Sequence, residues 1–118
     1  MSIFQTSIET RELHKKVALR THYYRNSFDQ VKKALDTIVE EDNMQVQDVN
    51  RKFGDIYLLG DGYEVIVSAI QLTPNETSID FKINYFVTIG WNRPEKKAVH
   101  LYARLDQLLH FKGTVLHP

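Results

Sequence analysis

The stretch of sequence that decides the fold is YEVIVSAIQLTPNETSIDFKINYFVTIGW, residues 63–91. It contains two long strand patterns, residues 63–72 and 77–89, separated by the turn sequence Thr-Pro-Asn-Glu. Successive side chains of a strand point to opposite faces of a sheet, and the second pattern alternates strictly. The sequence therefore predicts a hairpin at the centre of an antiparallel sheet. Its core-facing residues are Ile79, Phe81, Ile83, Tyr85, Val87 and Ile89.

The other side of this hairpin is mixed. The second strand is polar there and is interrupted only by Phe86, whereas the first strand adds Ile66, Ile70 and Leu72. Apolar residues on this second side of the sheet indicate that another surface covers part of that side. The sequence therefore predicts self-association through this side, with Ile66, Ile70 and Phe86 as interface residues. Its polar members are Ser78, Asp80, Lys82, Asn84 and Thr88.

Composition fits one globular domain. The chain of 118 residues is 42% hydrophobic and 25% charged, which is enough to build one core. We expect one domain over residues 1–118, with an N-terminal arm (1–15) and a short tail (114–118). Fifteen basic residues balance fifteen acidic ones, which argues against nucleic acid as a partner. There is no cysteine, signal-peptide pattern or apolar run of membrane-spanning length, so the expected location is cytoplasmic.

Upstream of the hairpin, the sequence predicts a strand at residues 16–24 and then a helix. In the strand, the side with Leu19 is expected to face the core, and the side with His22 and Tyr24 to face solvent. Ser27 and Gln30 form a capping-box pattern at the start of the helix. The helix ends in the acidic residues 40–42, which oppose its dipole and indicate either fraying or a positive neighbour. The full core-facing set of the strand is Val17, Leu19, Thr21 and Tyr23, and the full exposed set is Lys16, Ala18, Arg20, His22 and Tyr24.

Two more strands, at residues 44–50 and 53–59, lead through the Gly60-Asp61-Gly62 turn into the central hairpin. A last helix begins at Pro94 and is expected to stop at Gly113. The order is β-α-β-β-β-β-α. It predicts the α+β class: a curled antiparallel sheet of about five strands with two helices packed on one face.

This order resembles that of the helix-grip class, which includes START-like and pathogenesis-related-like domains, over residues 16–112. The resemblance implies an apolar-ligand cavity between the sheet and the last helix, bordered by Tyr85, Tyr102 and Leu105. A flat sheet with two helices, as used in scaffolding domains, shares the same order.

Chemical signatures are weak. The five histidines, at positions 14, 22, 100, 110 and 117, have no ligand spacing, and Asp106 with His110 permits only a two-ligand site. No metal, cofactor or catalytic residue is predicted. Asp80 is expected to be a surface carboxylate, so an enzyme is the less favoured interpretation. Arg93, Lys96 and Lys97 at the start of the last helix form a candidate site for an anion or a phosphopeptide.

The sequence thus favours a non-enzymatic protein-interaction or scaffold module whose partner is another protein or a second copy. The alternatives are a small apolar-ligand carrier of helix-grip type and an anion-binding domain. No membrane association is predicted.

Overall fold

The computed structural model describes residues 6–86 and 92–115. The predicted α+β class is confirmed: two helices pack on a curled, unclosed antiparallel sheet, which has seven strands instead of about five. The predicted positions Val87, Thr88, Ile89 and Trp91 lie outside the described residues. The elements are β1 (Ser7–Glu9), a 3-10 turn (Val17–Leu19), β2 (His22–Tyr24), α1 (Phe28–Glu41), β3 (Gln45–Asn50), β4 (Asp55–Leu59), β5 (Tyr63–Thr73), β6 (Glu76–Tyr85), α2 (Arg93–Leu108) and β7 (Phe111–Gly113).

The sheet is ordered β3-β4-β5-β6-β2-β7, with β1 also paired to β6. Strands β1 and β2 share one edge of β6, β1 alongside residues 82–84 and β2 alongside residues 77–79. The loop between them leaves the sheet beside Asp80 and Phe81. Strands β1 and β7 were not predicted, because three residues are too few to establish an alternating pattern.

Both helices pack on the same side of the sheet and share one core with it. The predicted capping box is confirmed: Gln30 N donates to Ser27 Oγ, and the Ser27 backbone N donates to Gln30 Oε1. None of the described helices has the length and apolar character needed to cross a membrane. The largest buried core side chains are Tyr24, Phe81, Leu19, Leu35, Ile38, Ile56, Leu58, Ile79, Ile83, Leu101 and Leu105.

The prediction of a strand over residues 16–24 was wrong in its length and only partly right about burial: Leu19, Thr21 and Tyr23, expected in the core, are buried. Val17, expected in the core, lies in the 3-10 turn and is 61% exposed, whereas His22 and Tyr24, expected in solvent, are buried. The strand register explains why His22 is buried. It lies opposite the core residue Ile79 and therefore points to the same side of the sheet. Tyr23, on the other side, is also buried.

Gly113 does not stop α2. The helix ends at Leu108, and Leu109 is extended. The backbone N of His110 then donates to Asn26 Oδ1, and Arg25 N donates to the carbonyl oxygen of His110. These bonds turn the chain into β7 beside β2, so Gly113 ends a strand.

The acidic end of α1 has positive neighbours, which confirms one of the two predicted outcomes. Asp42 lies 2.6 Å from Lys97 Nζ and 3.0 Å from His100 Nε2. Glu41 lies 2.6 Å from Arg104. Lys97, His100 and Arg104 all belong to α2, so these contacts fix how the two helices lie against each other.

Candidate functional site

The outer face, defined here as the side of β4, β5 and β6 opposite the helices, has no described helix over it. Its side chains form rows across the strands: Tyr57 is paired with Ile66, and Ile66 with Lys82. In the next row Glu64 is paired with Asn84. The face therefore alternates apolar and charged groups at close range. Large apolar side chains exposed on it or at its ends are Tyr57, Ile70, Leu72 and Phe86.

Of the predicted interface residues, Ile66 and Ile70 lie on β5 within this face, and Phe86 directly follows the end of β6. Phe86 is 60% exposed and Ile70 is 50% exposed. The backbone N of Phe86 donates to the carbonyl oxygen of Gly62, so Phe86 lies eight strand residues from Ile70, about 26 Å away. Ile66 lies midway between them. The three residues therefore mark a band along the face and not a single cluster.

A depression of about 280 Å³ opens on the outer face between β3, β4 and β5. The strand β3 bulges at this point, between Val46 and Asp48. The apolar part of the depression includes Tyr57 and Ile66, and Asp48 and Glu64 supply carboxylates. Its lining is Gln47, Asp48, Tyr57, Leu58, Leu59, Glu64, Val65 and Ile66.

Both carboxylates of this depression bind only neutral donors within the described residues. Glu64 Oε1 accepts from Asn84 Nδ2 at 3.0 Å, and Asp48 Oδ1 accepts from Val49 N at 2.9 Å. An aromatic ring, aliphatic walls and two carboxylates without a cation suit a positive group on an apolar stem. Lys82, exposed one strand away from the depression, is such a group and has no ion-pair partner in the described part of the chain.

Asp80, predicted to be an ordinary surface carboxylate, is instead partly buried beside the loop between β1 and β2. Its Oδ1 accepts from the hydroxyls of Thr10 and Thr21, both at 2.8 Å. Burial raises the pKa of Asp80, although the two hydroxyl bonds act in the opposite direction. Through these two hydrogen bonds, the Asp80 carboxylate holds the loop between β1 and β2 against the edge of β6.

Thr10 continues this network into the core. The backbone N of Phe81 donates to Thr10 Oγ1, and the Tyr102 hydroxyl lies 3.0 Å from the same oxygen. The Tyr102 hydroxyl also donates to the carbonyl oxygen of Ile79 at 2.8 Å. In the gap between β1 and β2, no described strand pairs with this edge of β6. There the side chains of Thr10 and Tyr102 form hydrogen bonds with the backbone of β6.

A second buried group joins β2 to α2 and β7. His22 Nδ1 lies 3.0 Å from Asp106 Oδ1, and the Tyr24 hydroxyl donates to the same oxygen at 2.6 Å. The His22 ring stacks on Tyr102 at 3.7 Å and on Phe111 at 4.6 Å between centroids. Burial lowers the pKa of His22 despite the neighbouring carboxylate of Asp106. No local pattern in the sequence marked this group, because His22 and Tyr24 lie 84 and 82 residues from Asp106 along the chain.

The three residues predicted to border a ligand cavity lie in or against the core: Tyr102 and Leu105 belong to it, and Tyr85 packs against it. Tyr102 and Leu105 are buried in the core, with 2% and 0% of their surface exposed. Tyr85 is partly buried and stacks on Tyr63 at 4.9 Å. The ring of Tyr102 is in contact with both His22 and Phe81, so core side chains occupy the space around it.

The three cations predicted to hold an anion differ in their availability. Lys97 binds Asp42, and its pKa is raised because this hydrogen bond and one to Tyr63 outweigh the lowering effect of burial. The Arg93 guanidinium lies 4.9 Å from the centre of the Tyr85 ring. Lys96 is exposed. Within the described residues, Arg93 and Lys96 therefore have no carboxylate partner, and they lie beside a site where Asp42 already supplies negative charge.

The described residues hold no group of three or more histidine or carboxylate side chains arranged to bind a metal ion. The chain matches no protein-family model, and a comparison with curated proteins finds no significant match. The outer face, with its depression and exposed apolar band, is therefore the candidate site that the geometry favours.

Proposed function

We propose that this protein is a non-enzymatic interaction module that associates with a second copy of itself through the outer face. The observation that supports this proposal is the set of large exposed apolar side chains on the outer face or at its ends, Tyr57, Ile70, Leu72 and Phe86. Contiguous exposed apolar patches mark protein contact sites, and Tyr57 lies directly beside Ile66 on the neighbouring strand. The net charge of zero adds no general repulsion between copies.

Sheet faces that pack on one another lie about 10 Å apart, with their side chains interdigitated. The rows of the outer face suit such packing, because Ile66 and Ile70 stand on its central strand. Edge-to-edge pairing through β3 is less favourable. The β3 edge is bulged at Val46, and Asp48 engages the backbone N of Val49, two features that discourage an added strand.

The test is sedimentation velocity over a range reaching several hundred micromolar. We expect a reversible dimer, weakened at least about tenfold by Phe86→Asp and by Ile70→Asp, because each places a charge in an apolar contact. Val99→Asp is the matched control, since Val99 is similarly exposed but lies on α2. A monomer at the highest concentration would end the proposal, as would a dimer that only Val99→Asp weakens.

A further inference from the structure

The depression on the outer face and Lys82, which has no ion-pair partner among the described residues, are complementary within one chain. We infer that Lys82 of each copy enters the depression of the other copy, with its stem on Tyr57 and its ammonium group between Asp48 and Glu64. This inference rests on the proposed function, because it names the contact that would set the geometry of the dimer.

The position of Lys82 makes the contact reciprocal. Tyr57, Ile66 and Lys82 form one row across β4, β5 and β6. Neighbouring strands are about 4.8 Å apart, so Tyr57 and Lys82 stand at nearly equal distances on either side of Ile66. A two-fold axis running along β5 within the interface therefore places β6 of one copy over β4 of the other. Lys82 then lies over Tyr57 of its partner, twice per dimer.

The chemistry of the depression matches a lysine. Its aliphatic part, Ile66 and Leu59, suits the methylene stem, and the face of Tyr57 attracts a cation. Asp48 and Glu64 supply negative charge that no cation neutralises within the described residues. Lys82 supplies the missing positive charge. Within its own chain its cross-strand neighbours are Ile66 and, on β1, Glu9, with which it forms no close ion pair.

Two charge-reversed variants test the inference. In Lys82→Glu and in Glu64→Lys, a like-charged pair replaces each Lys82–Glu64 contact, so each variant alone is expected to dimerise at least about tenfold more weakly than the wild type. A mixture of the two restores opposite charges at both contacts. We therefore expect the mixture to form a heterodimer with close to wild-type affinity, measured by native mass spectrometry and sedimentation velocity.

Controls separate the contact from general charge effects and from misfolding. Lys33→Glu and Glu40→Lys make the same charge changes at exposed positions of α1 and are expected to leave dimerisation unchanged. Lys82→Gln keeps most of the stem and removes the charge, so an intermediate loss is expected. Circular dichroism spectra matching the wild type establish that each variant is folded.

The outcomes distinguish the two proposals. A wild-type protein that stays monomeric overturns both. A wild-type dimer that Lys82→Glu and Glu64→Lys leave intact overturns the lysine contact and keeps the self-association. Variants that dissociate but do not form the heterodimer overturn the reciprocal arrangement.

Discussion

At the scale of single residues, Gly54 shows why one position admits no side chain. It has a φ of +76°, and a Cβ built on it would lie 2.2 Å from the carbonyl oxygen of Ala69. Gly62 has almost the same φ, +78°, but nothing lies within 4 Å of its Cβ position. A comparison of alanine substitutions at the two glycines therefore separates the cost of the positive φ from the cost of a steric collision.

We expect Gly62→Ala to lower the free energy of unfolding by about 1 kcal/mol, the cost of a positive φ. Gly54→Ala adds a backbone collision and is expected to cost about 3 kcal/mol or more. Urea denaturation of both variants measures the difference. Equal losses would mean that β5 moves away from Gly54 without cost.

Thr10 is the residue through which the loop between β1 and β2 is held. Thr10→Val keeps the shape of the side chain but leaves the buried backbone N of Phe81 without its acceptor and removes one donor from Asp80. The expected loss of stability is about 1–3 kcal/mol, measured by urea denaturation. Thr37→Val on the exposed side of α1 is the control and is expected to cost less than about 0.5 kcal/mol. A similar loss in both variants would contradict the role given to Thr10.

The sequence predicted the long elements and not these polar contacts, for a physical reason. Strands β5 and β6 and both helices are long enough for their periodicity to mark the core side. Asp80 and His22 were misplaced because their burial depends on which short segments lie beside β6. Thr21 is 59 residues from Asp80, and His22 pairs with the distant Ile79, so neither contact leaves a local pattern. The outward side of β5, which bears Ile66 and Ile70, follows from alternation alone. That this side, with Phe86, forms an interface stays a prediction.

At the scale of elements, the unfavourable charge at the end of α1 indicated either fraying or a positive neighbour, and the structure places Lys97 and Arg104 of α2 there. Side chains of Asp42 and Lys97 are only 14% and 12% exposed, whereas those of Asp29 and Arg51 are 76% and 65% exposed. Water weakens the second pair much more than the first. Asp42→Ala is therefore expected to cost about 2 kcal/mol and Asp29→Ala less than about 0.5 kcal/mol. Thermal denaturation at low and high salt checks this, and equal effects would contradict it.

The contacts of His22 that join β2 to α2 and β7 are expected to contribute less to stability in mild acid. Burial lowers the pKa of His22 in the folded protein, an effect that Asp106 and Asp80 oppose without overcoming it. A histidine in the unfolded chain has a pKa near 6.5. The stability that the folded protein gains by keeping His22 neutral is therefore full above that pH, and it is lost as the pH falls from 6.5 towards the lowered pKa of the folded state. The loss is at most about 1.4 kcal/mol per pH unit.

Urea midpoints at pH 7.5, 6.5 and 5.5 measure this dependence. His22→Phe keeps a ring between Tyr102 and Phe111 but cannot titrate, so its stability is expected to vary less over this range. His110→Gln changes an exposed histidine and is expected to follow the wild type. An unchanged pH dependence in His22→Phe would assign the effect to other groups.

At the scale of the whole molecule, the proposed dimer couples folding to concentration. If each copy covers the outer face of the other, association stabilises the folded state by mass action, and the melting temperature rises with protein concentration. A tenfold increase contributes about 1.4 kcal/mol per dimer, or about 0.7 kcal/mol per chain. For a chain of this length that corresponds to a rise of about 3 °C. Differential scanning calorimetry from ten to several hundred micromolar measures it, and Phe86→Asp is expected to reduce the rise while Val99→Asp keeps it. A melting temperature independent of concentration in the wild type would show that the outer face is not covered by a second copy in solution.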